Sequence, residues 1–326
     1  MAPTIHCIRH GQGFHNLYAD YTLPDPRLTP LGEEQCATLQ LTQFPPDKQR
    51  GISLVTASPL TRALHTAWLV FQPRLTQSQC NQPDIKTYGS GLQILALPDA
   101  QETSSDPCDV GTDLPYLSNF LASQEPPWPV DLALLATHTT WNRKLFHSRF
   151  SPHSDAIKAR ARSTRRFLRE RIVELMAKEG RDDVEVVLVS HGGFLHYFSN
   201  DWEDAASRPG TGFANCEVRS YQFDISLKDE FDHDHDATVV ETAGSRRARG
   251  LTHPTPGPLE QEKLFVEAME GWEAQGLERP DRVEGPASVA ASALATSPLR
   301  QAETASSKTE KSGGPVKEQE MGVGRS

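Results

Sequence analysis

Short apolar runs alternate with stretches of helical period along much of this chain. Residues 4–8 alternate toward Ile5 and Cys7 and predict a β-strand. The strand leads into Arg9-His10-Gly11-Gln12-Gly13, where two glycines imply a tight loop. Residues 52–57 form a compact apolar run that predicts a buried strand, and 92–97 predict a shorter one. Residues 184–189 are the strongest strand signal. They end in Ser190-His191-Gly192-Gly193, and a helical stretch follows through Phe198. Residues 216–223 predict a further strand.

Between the strands lie helices with recognisable starts. In Thr29-Pro30-Leu31-Gly32-Glu33 the threonine can cap, the proline fits the first helical position and an acid follows in the first turn. That helix is expected to end near Phe44, before Pro45-Pro46. Ser58-Pro59 repeats the start, and the next helix, to about Phe71, places Leu60, Ala63, Leu64, Ala67 and Trp68 along one face. Residues 155–178 predict a long, arginine-rich helix with an apolar stripe that includes Ile157, Leu168 and Ile172. Residues 73–91 and 99–115 are polar and read as loops. Strands alternating with helices predict an α/β layered fold with a mostly parallel sheet, whose ligands sit outside the carboxyl ends of the strands. Arg9, His10, Arg62 and His191 all follow strands on that side.

Composition then divides the chain. Of the 326 residues, those after Gly244 are markedly more polar. Residues 254–278 hold one candidate amphipathic helix, with Leu264, Phe265, Ala268, Met269 and Trp272. From Pro280 on, Ala, Ser, Glu, Lys and Gly bury too little apolar surface to fold, so disorder is expected. The expected organisation is a globular domain over 1–243 and a polar tail over 244–326. A net charge of -10 disfavours nucleic acid or anionic membrane as partners, while a local cluster of Arg and His can still hold a small anionic substrate. Five widely spaced cysteines without a CxxC suggest reduced thiols, and so the cytoplasm or nucleus. The first residues read as a strand, not a signal peptide, and no apolar run reaches the roughly 18 residues of a membrane span. Asp232-His233-Asp234-His235-Asp236 reads as a solvated acidic turn. No metal or other cofactor is expected.

Four pieces carry candidate chemistry. His10 can supply a nucleophilic nitrogen, Arg9 a planar fork of donors, and Gly11 room for close backbone approach, with Asn16 as a neutral donor nearby. Arg62 stands in the first turn of its helix, where the dipole favours acids; an anion bound there would account for a cation. A second imidazole, His191, follows the strongest strand and can bond a phosphate oxygen. Glu102, after the 92–97 strand, can protonate a leaving oxygen, with Asp106, Asp109 and Asp113 as competitors. Alone, each is also readable as a polar turn, a solvated charge or a helix cap.

Together, Arg-His-Gly with Asn16, then Ser-Pro-Leu-x-Arg-x-x-x-Thr-Ala, a loop Glu, and Ser-His-Gly-Gly resemble the histidine phosphatase, or phosphoglycerate mutase-like, superfamily over residues 5–223. Gln101-Glu102, Pro107 to Gly111 and Thr211 to Ser220 are similar to a fungal and plant branch often labelled phosphoglycerate mutase-like. The resemblance implies a three-layer α/β/α sandwich. It implies His10 as the phosphorylated nucleophile and Arg9, Arg62, His191 and Asn16 as the phosphate pocket. Glu102 would be the proton donor, and Asn215 a residue that lines the site. Gln12-Gly13 stands where the true mutases usually carry Glu-Ser, which turns the expectation from a mutase to a metal-independent phosphatase of a small phosphate ester. A mutase, and a catalytically muted interaction subunit that binds a protein through the tail helix, are the alternatives. Substrate discrimination is expected from residues 113–155, including Trp128 and Trp141.

Overall fold

The computed structural model describes residues 2–76, 92–224 and 237–283. The elements follow in chain order. They are β1 (Thr4–Arg9), α1 (Phe14–Leu17), α2 (Pro30–Thr42), β2 (Ile52–Ala57), α3 (Thr61–Leu75), β3 (Ile94–Ala96), α4 (Leu114–Ala122), β4 (Val130–Asp131) and α5 (Ala133–Thr137). After these come α6 (Ser154–Glu179), β5 (Glu185–Ser190), α7 (Gly192–Ser199), β6 (Val218–Phe223), β7 (Val239–Glu241), α8 (Ala243–Ala248) and α9 (Pro258–Ala274).

The sheet runs β4-β3-β2-β5-β1-β6-β7, with β1 to β5 mutually parallel and β6 and β7 antiparallel at one edge. Alternation along the strands divides the core. Val187 and Val189 of β5 face a cluster built on α2 and α3, while Val186 and Leu188 face one built on α6, α7 and α9. A strand covered on both faces reads as a near-continuous apolar run, which is why 184–189, apolar but for Glu185, read so strongly. The fold is the expected three-layer α/β/α sandwich with a mostly parallel sheet.

Local signals explain most boundaries. Thr29 Oγ1 accepts the Gly32 N–H at 3.0 Å and caps α2. The start of α3 differs from the expected Ser58 cap. There the Asp25 carboxylate accepts the Thr61 N–H at 2.9 Å and the Thr61 hydroxyl at 2.8 Å, leaving Ser58 for another task. This carboxylate is also the anion that the helix start favours. α3 runs on past Phe71, through Pro73, to Leu75. The short strands β4 and β7 carry too few residues to be read from pattern.

The compact unit extends to Val283, past the boundary expected at 243. α8 and α9 belong to it because Ala268, Met269 and Trp272 are buried against Trp202, Phe198 and Tyr221. The apolar stripe expected to bind a partner is therefore spent inside the fold. The acidic-histidine run 232–236 and the tail from 284 lie outside the described residues. No helix among the described residues is long and apolar enough to cross a membrane.

Candidate active site

A cleft of about 70 Å³ opens at the carboxyl edge of the sheet, where β1, β2 and β5 end. His10, one residue beyond β1, is 2% exposed. Its Nδ1 lies 2.7 Å from the Gly11 carbonyl oxygen, which can only accept, so Nδ1 carries the proton and Nε2 keeps its lone pair. Arg62 donates to that lone pair through Nε at 3.2 Å. The backbone around His10 is held on both sides. Asn215 donates its amide to the His10 carbonyl at 3.0 Å, and the Gly11 N–H donates to Thr66 Oγ1 at 3.0 Å. At Gly11 a Cβ would come within 2.7 Å of the Gly32 carbonyl oxygen, so only glycine lets the loop sit this close to α2.

Burial drives the His10 pKa well below the usual imidazole value, and the Arg62 and Arg9 guanidiniums push it further. His191 behaves alike, lowered by burial and then by Arg62. Its Nε2 is 2.8 Å from Ser58 Oγ, its ring centroid is 5.1 Å from that of His10, and its Nδ1 is buried without a partner among the described residues. The task left to Ser58 is thus to orient His191.

Arg62 sits in the first turn of α3 as expected, and its partners use the whole guanidinium. Besides His10 it reaches the Cys108 carbonyl at 2.6 Å and Asp109 Oδ1 at 2.7 Å. Arg9 donates to the Phe213 carbonyl, while its Nε is buried without a partner. Asn16 lines the cleft, its Oδ1 taken by the Gly13 N–H at 3.0 Å and its amide nitrogen left for a ligand.

Glu102 also lines the cleft. Its Oε1 accepts the N–H groups of Thr103 (2.9 Å) and Phe194 (2.8 Å), and its Oε2 that of Gly193 (3.1 Å), so it sits at the N-terminus of α7. Burial raises its pKa and Asp109 adds to the rise, against the hydrogen bonds from Thr103 and Gly193. Of the competing acids, Asp109 is paired with Arg62, Asp106 lines the cleft, and Asp113 is turned away onto Asn142 at 2.8 Å.

Several residues were not singled out from sequence. His15 lines the cleft with its ring 5.6 Å from His10. Burial, then Arg62 and Arg9, lower its pKa to about 2. It stands between His10 and Asn16 in the first motif, and that place was its signal. Lys144 and Arg160 brace the Glu102 loop from behind. Lys144 Nζ donates to the carbonyls of Glu102 (2.6 Å) and Ser104 (3.0 Å), and Arg160 to those of Asp99 (2.8 Å) and Gln101 (2.9 Å). Contacts to backbone carbonyls leave no trace in side-chain patterns. Trp128 and Trp141, expected to help select substrate, are instead core residues packed with α3. The outer walls come from Tyr21, from Gly210 and Thr211, and from Leu277 and Glu278 beyond α9.

The fold and this cleft define an α/β protein with two guanidiniums, three neutral imidazoles and the half-buried carboxyl group of Glu102 gathered at the sheet's carboxyl edge. Residues 5–80 match the model of the histidine phosphatase superfamily (branch 1). Phosphoglycerate mutase-like protein 1 of Arabidopsis thaliana is 24% identical over 299 residues, 81% of this chain and 94% of the relative. Phosphoglycerate mutase-like protein 2 of the same plant is 36% identical over 96 residues, 27% of this chain and 28% of the relative. A solved mycobacterial glucosyl-3-phosphoglycerate phosphatase is 19% identical, covering 74% of this chain and 97% of its own, with a TM-score of 0.37. The chain is similar to the histidine phosphatase superfamily, whose model matches it over residues 5–80.

Proposed function

We propose that the protein hydrolyses a phosphate monoester through a phosphohistidine on His10, without a metal ion. The observation that carries this reading is the state of His10: buried, neutral, with Nδ1 tied to the Gly11 carbonyl and Nε2 aimed at Arg62. A neutral, oriented imidazole beside two guanidiniums is what attack on a phosphorus atom requires. When the phosphoryl group enters, its oxygens take the Arg62 Nε–H, the Arg9 Nε–H, the Asn16 amide and a ring N–H of His191. His10 Nε2 then forms the N–P bond as the P–O bond breaks, and Glu102 gives its proton to the leaving oxygen. In the second step Glu102 takes a proton from water, the water oxygen bonds to phosphorus, and the N–P bond breaks to release inorganic phosphate. Asp109, held by Arg62, suits the proton-donor role less than Glu102 does.

The test is phosphate release from p-nitrophenyl phosphate with chelator present, for the wild type and His10→Ala, alongside alkaline-quench trapping of the acid-labile phosphoenzyme. Chelator-resistant activity and trapped phosphate that both vanish in His10→Ala are expected. Unchanged activity in His10→Ala would overturn the reading. Phosphate moved between positions of 3-phosphoglycerate, with little release, would point to a mutase.

A further inference from the structure

The inner end of the cleft is cationic and its outer end is acidic. Among the described residues that line it, only Arg9 and Arg62 are cations, and both act on His10 at the buried end. There His15 Nδ1 and Arg9 Nε are buried without a partner among the described residues, so that end is built to receive a polar ligand. Toward solvent stand two half-buried carboxylates, Asp106 and Glu278. One stretch, Ser104-Ser105-Asp106, brings them together. Glu278 accepts the Ser105 N–H at 2.6 Å and the Ser105 hydroxyl at 3.0 Å, while Asp106 accepts the Ser104 hydroxyl at 3.1 Å. The nearby cation, Lys144, is committed behind the loop to the Glu102 and Ser104 carbonyls. Leu277 and Tyr21 complete this outer part and offer apolar surface to a short carbon chain.

A substrate with its phosphoryl group on His10 must place its alcohol portion in this outer part. Among the described residues, a carboxylate on that alcohol would meet two acids and no free cation, whereas an ammonium group would meet two counter-charges. We propose, resting on the phosphatase reading above, that the cleft selects phosphate monoesters of short alcohols bearing an ammonium group and rejects those bearing a carboxylate. Glu278 and Asp106 are then specificity-determining residues, supplied by the segment after α9 and by the loop that carries Glu102.

The test compares three esters of similar size at pH 8 and fixed ionic strength: O-phosphoethanolamine, ethyl phosphate and phosphoglycolate. The expected order of kcat/KM is ammonium, neutral, carboxylate, with at least about tenfold between the extremes, the scale of one unit-charge contact at a protein surface. In the Glu278→Gln/Asp106→Asn double variant that ratio should fall toward one. A ratio is used because it cancels any general loss from a disturbed loop. Added salt should also compress it. His10-dependent hydrolysis of p-nitrophenyl phosphate with a ratio of one or below, or with none of the three esters turned over, overturns the selectivity and leaves the phosphatase reading standing. No hydrolysis even of p-nitrophenyl phosphate defeats that reading and the selectivity with it.

Discussion

Arg62 and Asp109 form a buried ion pair of 2.7 Å, and the same guanidinium reaches His10 Nε2 at 3.2 Å. Asp109 is further fixed by the Ser104 hydroxyl at 2.6 Å. The acid thus decides where the cation points, and the cation decides what His10 meets. Removing the acid strands a buried charge. Asp109→Ala should therefore cost about 3–5 kcal/mol of stability, the scale found when one member of a buried pair is deleted. It should also lower phosphatase kcat by about 10²-fold as Arg62 loses its aim. Urea unfolding and steady-state kinetics check the two. A loss below about 1 kcal/mol would mean that the pair is solvated and contributes little.

Glu102 makes a second prediction, through pH. Burial and Asp109 raise its carboxyl above the ordinary value. In the proton-donor role proposed for it, it is active when protonated, so kcat/KM should decline as pH rises through that raised value. His10, held well below the usual imidazole range, places no opposing limb near neutrality. In Glu102→Gln the alkaline decline should disappear. The same variant should lose far more rate on an alkyl phosphate than on p-nitrophenyl phosphate, whose leaving group needs no proton. Equal losses on both would assign the acid elsewhere.

Most of the sheet and much of the candidate site were legible because both lie at strand ends with short-range signals. The run over 184–189 is apolar at every position but Glu185 since β5 is covered on both faces, and the loops after β1 and β5 carry the Arg-His-Gly and His-Gly-Gly signatures. What pattern could not give are relations between distant segments. Asp25 caps α3 from 36 residues away, and Glu278 holds Ser105 from 173 away. The outer boundary was misplaced for a related reason. α9 looks polar on average, and only its fit against Trp202 shows that Met269 and Trp272 belong to the core.

His15 predicts an acid-side stability slope. Its folded pKa is about 2, far below the ordinary imidazole value, so the unfolded chain binds the proton more readily. The stability this contributes is present above about pH 6.5 and is lost as pH falls from there toward the folded value. His10 and His191 act in the same direction. Replacing His15 with Gln should make the acid loss shallower, by up to about 1.4 kcal/mol per pH unit. Thermal midpoints from pH 7.5 to pH 5 for the two proteins read this directly, and parallel curves would show that His15 titrates normally in the folded state.

The last prediction concerns where the folded unit ends. A boundary at 243 would let Gly244 to Ser326 be deleted with catalysis intact. The structure argues otherwise. That deletion removes Trp272, which is 1% exposed and donates to the Ala205 carbonyl at 3.1 Å, and leaves Trp202 and Phe198 open to water. It also removes Arg246 and Arg249, the ion-pair partners of Glu203 and Glu241, and leaves those acids without them, Glu241 fully buried at its side chain. With Leu277 and Glu278 gone, the cleft loses a wall and the Glu102 loop loses its tie at Ser105. A chain ending at Val283 should keep the melting temperature and the phosphatase rate of the full chain, while one ending at Ala243 should be aggregated or inactive. Because misfolding alone would explain the second result, Trp272→Ala in the full chain serves as the graded case. It should cost about 3–5 kcal/mol, as truncation of a buried aromatic does. Full activity and an unchanged melting temperature in the chain ending at Ala243 would show that α9 is an appendage, not part of the core.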